Sequence, residues 1–426
     1  MIDAWTPFNF HAGQQAYISS TAQFNDLVCG RRAGKTELAC RKLVKCARSP
    51  LYTGARYIYL CPTRRQGKKI AWQRLKDLVG PNWMAGSPNE TELIIRTITG
   101  GQIEIDGMDA PQRLEGTGVV GVVADESSDM KPGAIQQTVM PMLTWALERG
   151  GWMDRIGVPK VNGPSGLEFK ESWEKGLNAD PAVHQSFRWP SWDVCPPGAI
   201  ETLRKNMSMQ VFREQCGAEW ISHGGAAFHA FDKDRNVRPC GYHESLPIRV
   251  GSDFNVEPMC WVLSHWHGDH YEYFEELEID DTHTQATLDI LKAKYPNHVS
   301  GWEFYGDASA QARTTSGSMS DYRIIQNDPD FKRMGRTIHY PRGNPLRLDR
   351  FGAFNAMLCN AVGERRLYVD SRCERLIQDL RHRGLDAKTE TGTRMGHMSD
   401  AASYIVWQTH PQLPSEEPIN ITVRAG

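Results

Sequence analysis

The sequence predicts a two-domain α/β protein, with a mostly parallel sheet covered by helices on both faces in the first half and a mixed sheet in the second. Three observations carry this expectation. A Gly-Lys-Thr loop sits between an apolar strand and a helix-compatible run. Strand-like apolar segments then alternate with helical patterns up to about residue 220. Past a glycine break at Gly224-Gly225, the alternation gives way to strands that end on single aspartates. A chain of 426 residues has room for two cores of ordinary size.

The first element is Leu27-Val28-Cys29 running into Gly30-Arg31-Arg32-Ala33-Gly34-Lys35-Thr36 and then Glu37-Leu38-Ala39-Cys40-Arg41-Lys42-Leu43. This strand–loop–helix context separates the motif from chance occurrences of Gly-Lys-Thr. Backbone N–H groups of such a loop cradle the phosphates of a nucleotide, Lys35 reaches the β- and γ-phosphates, and Thr36 offers its hydroxyl to Mg²⁺. One departure stands out. Cys29 occupies the first position of the G-x-x-x-x-G-K-[ST] pattern, and the glycine sits one residue later. Arg31 and Arg32 place further donors in the loop.

Tyr57–Cys61 reads as a strand, followed by a basic helix with Arg64, Arg65, Lys68, Lys69 and Trp72. Leu93-Ile94-Ile95 and Ile103-Glu104-Ile105 flank Gly100-Gly101, a hairpin signal. Val119–Ala124 is a buried strand delivering Asp125 and Glu126 to its C-terminal edge, where ligands bind in open α/β sheets. Asp125 is the expected Mg²⁺ residue and Glu126 the residue that orients or deprotonates an attacking water. Gln14, beside Gln15, is a candidate for reading an adenine edge, with an exposed helix start as the plain reading. Arg113 is a candidate for stabilising phosphate charge on a neighbouring subunit, with an ion pair to Glu115 as the plain reading. A further strand spans 152–159. A Gly/Pro-rich loop at 161–166 and a tryptophan-bearing stretch to Trp220 follow. The expected division is residues 1–222, a linker at 223–245, a second domain at 246–410 and a tail at 411–426.

In the second domain Ile248–Asp253 reads as a strand, and Cys260–Leu263 with His270–Glu275 as an antiparallel pair turning at Gly268-Asp269. A helix near 284–294 leads to Trp302–Tyr305, a strand ending at Gly306-Asp307. His397-Met398-Ser399-Asp400 opens a helix with Asp400 in its first turn. Three strands, a helix and an acid-tipped strand is the order of an RNase H-like fold. Asp253, Asp307 and Asp400 are then the candidate catalytic metal ligands, and their oxygens suit Mg²⁺ or Mn²⁺ better than zinc. Two such ions would activate water and stabilise the leaving 3′-oxygen of a phosphodiester. Each aspartate taken singly has an ordinary turn or capping explanation. Glu257, Glu275 and Glu276 are further carboxylates that could ligate or merely shape the site. His265-x-His267-x-x-His270 straddles a hairpin turn, so solvated turn histidines are the expected reading rather than a zinc site.

Charge gives no global nucleic-acid signal, since the net charge is −2. The local basic group Lys332, Arg333, Arg336, Arg342, Arg347 and Arg350 has few compensating acids and suits a phosphate track. The group Arg365, Arg366, Arg372, Arg375, Arg381 and Arg383 is interleaved with acids and reads as an ion-paired helix face. No apolar run reaches the roughly 18 residues of a membrane span, and no signal-peptide pattern is present. The ten cysteines fall in no metal spacing and read as reduced thiols of a cytosolic protein.

Taken together, the arginine-rich loop Gly30–Thr36, the Asp125-Glu126 strand end, Gly306-Asp307-Ala308 and His397-x-x-Asp400-Ala401 resemble the large terminase subunit of tailed bacteriophages and prophages. The resemblance runs from Gln14 to about Trp407. It implies an ATP-driven motor that moves double-stranded DNA into a procapsid and a metal-dependent endonuclease that cuts concatemers. By this likeness Lys35, Thr36, Asp125 and Glu126 serve the motor and Asp253, Asp307 and Asp400 the cutter. It also implies a homo-oligomeric ring of five subunits on a portal protein, a small terminase subunit that selects DNA, and a place in the host cytoplasm. The chain departs from the family at Gly157-Val158-Pro159, where a Ser or Thr before the proline usually couples hydrolysis to motion. Two rivals remain: a helicase-like ATPase whose second domain binds nucleic acid without cutting it, and a non-catalytic prophage relic.

Overall fold

The computed structural model describes residues 11–411 apart from 115, 117, 223, 255–257, 312–318, 340 and 386–393. The described chain falls into two compact units, one running to Ile200 and including Gln210–Ser222, the other comprising Glu201–Met209 and the residues from 224 onward. The expected tail beyond residue 411 lies outside the described residues.

The first unit is built on seven strands: β1 Phe24–Cys29, β2 Arg56–Cys61, β3 Ile94–Arg96, β4 Gln102–Gly107, β5 Gly121–Ala124, β6 Trp152–Gly157 and β7 His184–Trp189. They lie in the order β3-β4-β2-β5-β6-β1-β7. Every pairing is parallel except β3 with β4, the hairpin that the diglycine signalled. The central strand β5 is buried at all four residues, which is why it reads as an unbroken apolar run rather than an alternating one. Separate apolar clusters cover the two faces. Tyr59 and Val123 belong to one, Ile58, Leu60 and Val122 to the other, as alternation along a strand requires. The basic segment after β2 is helical as expected, but it carries a π turn at Lys68–Trp72 between α-helical pieces Arg64–Gly67 and Gln73–Val79.

The second unit contains β8 Ile248–Asp253, β9 Met259–Trp266, β10 Tyr271–Ile279, β11 Trp302–Tyr305, β12 Arg336–His339 and β13 Leu367–Val369, in the order β12-β11-β8-β9-β10-β13. The strands β8, β9 and β10 form an antiparallel meander, whereas β11 runs parallel to β8 and to β12. This is the RNase H-like order expected from the sequence, with β13 added parallel to β10. Helix Thr284–Lys294 supplies the connection before β11. The apolar side chains of β9 again split by alternation, with Val262 on one face and Trp261 and Leu263 on the other. The segment that composition marks as a linker is folded onto this unit. Ala226 bridges Gly384, Val237 bridges Val369, and Asn236 Nδ2 donates to the carbonyls of Leu358 and Leu367.

Candidate functional site

Parallel strands β1 and β5 put their C-terminal ends on one edge of the first sheet, and the loop after β1 meets the acids after β5 there. Gly34 takes a left-handed conformation (φ 81°) at the start of helix Lys35–Arg48, a helix with no side-chain cap. Its first N–H groups are the donors that anion-binding helix termini offer. Lys35 is buried, and its ammonium makes no ion pair or hydrogen bond among the described residues. A buried ammonium is costly unless an anion meets it.

Thr36 Oγ1 donates to Asp125 Oδ2 at 3.2 Å, and Tyr59 Oη donates a short hydrogen bond to the same oxygen. Burial, then the charge of Glu126, pushes the Asp125 carboxyl up to about 6, with Lys35 acting in the opposite sense. Glu126 behaves differently. Burial opposes its charge, but Lys35, Lys160 and Arg31 together hold its carboxyl below the usual range, so it stays ionised. Lys160 Nζ lies 4.0 Å from Glu126 Oε2 and also pairs with Asp129. Glu126 itself adopts φ 54°, a left-handed conformation that costs energy in a non-glycine residue and is typical of functional positions.

The displaced glycine has a physical explanation. A Cβ on Gly30 would lie 2.4 Å from Ser191 Oγ, 2.5 Å from the Cys216 carbonyl oxygen and 2.6 Å from Ser191 N. The segments at Trp189–Ser191 and Gln215–Cys216 pack directly on the loop. Gly30 N donates to Trp189 O, Arg31 N to Gln215 O, and Ser191 Oγ to Arg31 O. Backbone thus closes over position 30, while Cys29 ends β1 as a buried thiol that burial pushes far above its usual range. Gln14 is buried rather than exposed, and its amide donates to Ala33 O at 3.2 Å, beside Trp189 Nε1 at 2.9 Å. The structure therefore gives this amide a partner within the loop. The side chain of Arg31 is tied to Gln215, and Arg32 sits at φ 59°. Arg113 is half-exposed and lies 3.4 Å from both Asp106 and Asp109, while Glu115 is outside the described residues.

In the second unit β8 and β11 are parallel, so Asp253 and Asp307 emerge at the same sheet edge. Helix His397–Thr409 lies against β8 so closely that a Cβ on Gly251 would fall 2.2 Å from Ala401 O. This close approach brings Asp400 towards Asp253. The three aspartates influence one another electrostatically: burial raises the Asp253 carboxyl, the hydrogen bond and charge of His397 lower it, and the charges of Asp400 and Asp307 raise it. His397 Nδ1 stands 2.9 Å from Asp253 Oδ2, and this contact raises the imidazole above its usual range. Asp307 accepts from Ser309 Oγ at 2.5 Å and from Ala310 N at 3.3 Å.

Asp400 is held differently from its two companions. Arg350 Nη2 donates a short hydrogen bond to Oδ1, and Arg383 donates to both oxygens at 2.9 Å. Burial works against its charge, but the two guanidiniums keep the carboxyl below the usual range. The oxygens of the three aspartates do not all lie within 4.8 Å of one another, and among the described residues only His243, His267 and Glu272 form such a set. Oxygen donors suit Mg²⁺ or Mn²⁺, yet this arrangement is not closed around a common ion.

Several expectations need correction. Arg350 and Arg383 are buried partners of Asp400, so neither belongs to a phosphate track or an exposed helix face. Arg372 pairs with Asp370 within the turn ahead of helix Glu374–His382, and Arg375 on that helix pairs with Glu278 on β10, so the ion pairing does not run along one helix face. His265 is fully buried, with Nδ1 on Pro247 O and Nε2 accepting from His243 N, because it points inward from β9 rather than lying in the turn. Glu276 accepts from Arg375 N and Leu376 N at the start of helix Glu374–His382, Glu275 pairs with Lys294, and Glu257 lies outside the described residues.

Sequence reasoning missed Tyr59, Arg350 and Arg383 as site partners, since each reaches its carboxylate from a distant element. Gly157-Val158-Pro159 leads straight to Lys160, the residue beside Glu126 and Asp129, and Val158 O accepts from Ser128 Oγ at 3.0 Å.

No protein-family model matches the sequence, and no curated protein matches it by sequence. Solved structures do. The large terminase from a thermophilic bacteriophage superposes with a TM-score of 0.62 at 14% identity, covering 94% of this chain and 99% of that one. The same terminase in complex with ADP gives 0.61 at 14% identity, covering 93% and 99%. Its complex with ATP-γ-S gives 0.60 at 14% identity, covering 94% and 99%. The chain therefore has the two-domain fold of a phage large terminase.

Proposed function

We propose that this chain is the large subunit of a genome-packaging terminase, with an ATPase in the first unit and a DNA-cutting site in the second. The observation that carries the reading is the buried Lys35, unpaired among the described residues, at the uncapped start of its helix beside Thr36, Asp125 and Glu126. That arrangement fits a nucleotide phosphate, and the complexes of the thermophilic phage terminase with ADP and ATP-γ-S support the same ligand class here.

Gly34, Lys35 and the following backbone would bind the phosphates, and Thr36 with Asp125 would hold Mg²⁺, which neutralises phosphate charge when bound. Glu126, kept ionised by Lys35, Lys160 and Arg31, is the group that accepts a proton from water or orients it. Lys160 bridges the carboxylates of Glu126 and Asp129. Gln14 and Trp189 brace the loop through Ala33. In the second unit Asp253 and Asp307 offer carboxylates at one sheet edge, with His397 on the first of them. Asp400 is neutralised by two arginines and does not join them as a free ligand. Double-stranded DNA, a portal protein, a small subunit, a ring of identical chains and action in the host cytoplasm complete the reading.

A helicase-like ATPase whose second unit binds DNA without cutting is the alternative, and the grip of Arg350 and Arg383 on Asp400 favours it. Purified protein incubated with supercoiled plasmid and Mn²⁺ decides between them. The proposal expects nicking and linearisation that Asp253→Ala abolishes while DNA-stimulated ATP hydrolysis persists. An intact plasmid beside normal ATP hydrolysis would leave the alternative.

A further inference from the structure

A second cluster in the second unit lies away from the aspartates. His243 sits on the segment leading into β8, His267 follows the last residue of β9, and Glu272 is the second residue of β10. Their donor atoms all fall within 4.8 Å of one another. His267 Nε2 is buried without a hydrogen-bond partner and stands 3.3 Å from Glu272 Oε2. An unsatisfied buried nitrogen next to a carboxylate oxygen costs free energy unless a third group joins them.

The surroundings fix all three groups. Arg238 Nη2 donates to Glu272 Oε1 at 2.7 Å, leaving Oε2 to face His267, and the Arg238 guanidinium lies over the Tyr368 ring. His270 Nε2 is 3.5 Å from the same Oε1, while its Nδ1 contacts Asp269. The His267 and His270 rings stack at 4.9 Å, and the His243 ring stands edge-on to His267 at 5.1 Å. Beneath them, His265 Nε2 accepts from the His243 backbone, which positions that residue over the hairpin. Supporting contacts of this kind orient metal ligands in known sites.

We infer that His243, His267 and Glu272 bind a divalent transition ion of the zinc type, clipping the segment that enters β8 to the β9–β10 hairpin. Two imidazoles and one carboxylate suit zinc and leave a fourth position for water, whereas magnesium prefers oxygen alone. The cluster is distinct from the cutting site. Asp253 pairs with Cys260, and His267 lies seven residues further on, just past the end of β9. At ~3.3 Å per residue that is roughly 23 Å, the opposite end of the sheet.

The test uses the full chain carrying Asp253→Asn and Asp307→Asn, which weakens the carboxylate edge as a competing site. After stripping with chelator, Co²⁺ is titrated in and the visible d–d absorption recorded, followed by displacement with Zn²⁺. The expected result is about one Co²⁺ per chain, displaced by Zn²⁺ but not by excess Mg²⁺. His267→Ala and the exposed His243→Ala should each weaken binding ~10-fold or more, with circular dichroism of the apo forms unchanged. Absence of a cobalt spectrum in the parent, or parent-like affinity in folded His243→Ala, would overturn the inference.

Discussion

Replacing Arg383 with methionine removes a guanidinium whose side chain is 1% exposed but keeps much of its apolar stem. The bonds that disappear include those to Gly396 O and Ser399 Oγ at 2.8 Å and to the two oxygens of Asp400 at 2.9 Å. Breaking a buried pair by removing one partner costs about 3–5 kcal/mol, because the other charge stays buried. Arg350 remains on Asp400 and compensates part of this, which favours the lower end, about 3 kcal/mol. For a unit of this size each kcal/mol moves the midpoint by about 2–4 °C, so a drop of roughly 6–12 °C is expected. Since the pair is buried, high salt should not erase the difference. Thermal melts of wild type, Arg383→Met, Asp400→Asn and the double variant form the assay. Asp400→Asn removes the charge that Arg383 answers, so the double variant should be less destabilised than the sum of the singles by ~1–3 kcal/mol. Additive losses, or an Arg383→Met midpoint within about 2 °C of wild type, would refute the account of Asp400 as a carboxylate fixed by two arginines.

Glu126→Gln should lower ATP turnover by about 10²–10⁴-fold, measured as phosphate release, while nucleotide binding by fluorescence titration persists. Gly30→Ala forces backbone apart at Ser191 and Cys216 and should destabilise the first unit by about 1–3 kcal/mol in urea unfolding, a loss that alanine at an open glycine such as Gly198 should not produce. Asp328 accepts from Asp330 N and Phe331 N and pairs with Lys292 at 3.0 Å. Burial opposes its charge, but Gln285, Lys292 and Phe331 N hold its carboxyl below the usual range. A depressed folded-state value means its stabilisation is complete above the unfolded value of about 3.9 and disappears as pH falls through the folded one. Asp328→Asn should therefore melt lower than wild type at pH 7, and the gap should narrow as the melts are carried below pH 4.

What the sequence shows well is what depends on neighbours along the chain. The loop–helix start at Gly34, the apolar run of β5 ahead of Asp125, the Gly268-Asp269 turn and the helix carrying Asp400 all rest on periodicity or turn chemistry within a few residues. What it hides depends on residues far apart. Gln14 finds its partner 19 positions on, Tyr59 its partner 66 on, and Arg350 its partner 50 on. A charge pattern cannot distinguish Arg350, buried against Asp400, from Arg333, whose partner Asp330 is three residues away on an exposed turn. Short elements hide for another reason. With only Leu367, Tyr368 and Val369, β13 has too few residues to show a period, and pairing with β10 is what makes it a strand.

The arginines also set how charge is balanced where three aspartates share one corner of a folded unit. Like charges in a buried site raise one another's pKa, and Asp253 shows the sign: burial, Asp400 and Asp307 all push it up. Asp400 is more deeply tied yet shifted the other way, since Arg350 and Arg383 answer its charge from inside the core. His397 partly answers Asp253 in the same fashion, through a ring nitrogen on the first turn of the helix that also carries Asp400. Positive charge is thus supplied unevenly, fully to Asp400 and partly to Asp253, while Asp307 receives a hydroxyl and an amide among the described residues. A cation arriving at this edge would be attracted first by the oxygens of Asp253 and Asp307, and it could recruit Asp400 only in competition with two guanidiniums. Loosening either arginine should therefore strengthen divalent-ion binding at this edge even as it weakens the fold. That opposition separates a cutting site restrained by its own arginines from a mere structural salt bridge, which would lose stability and gain no ion.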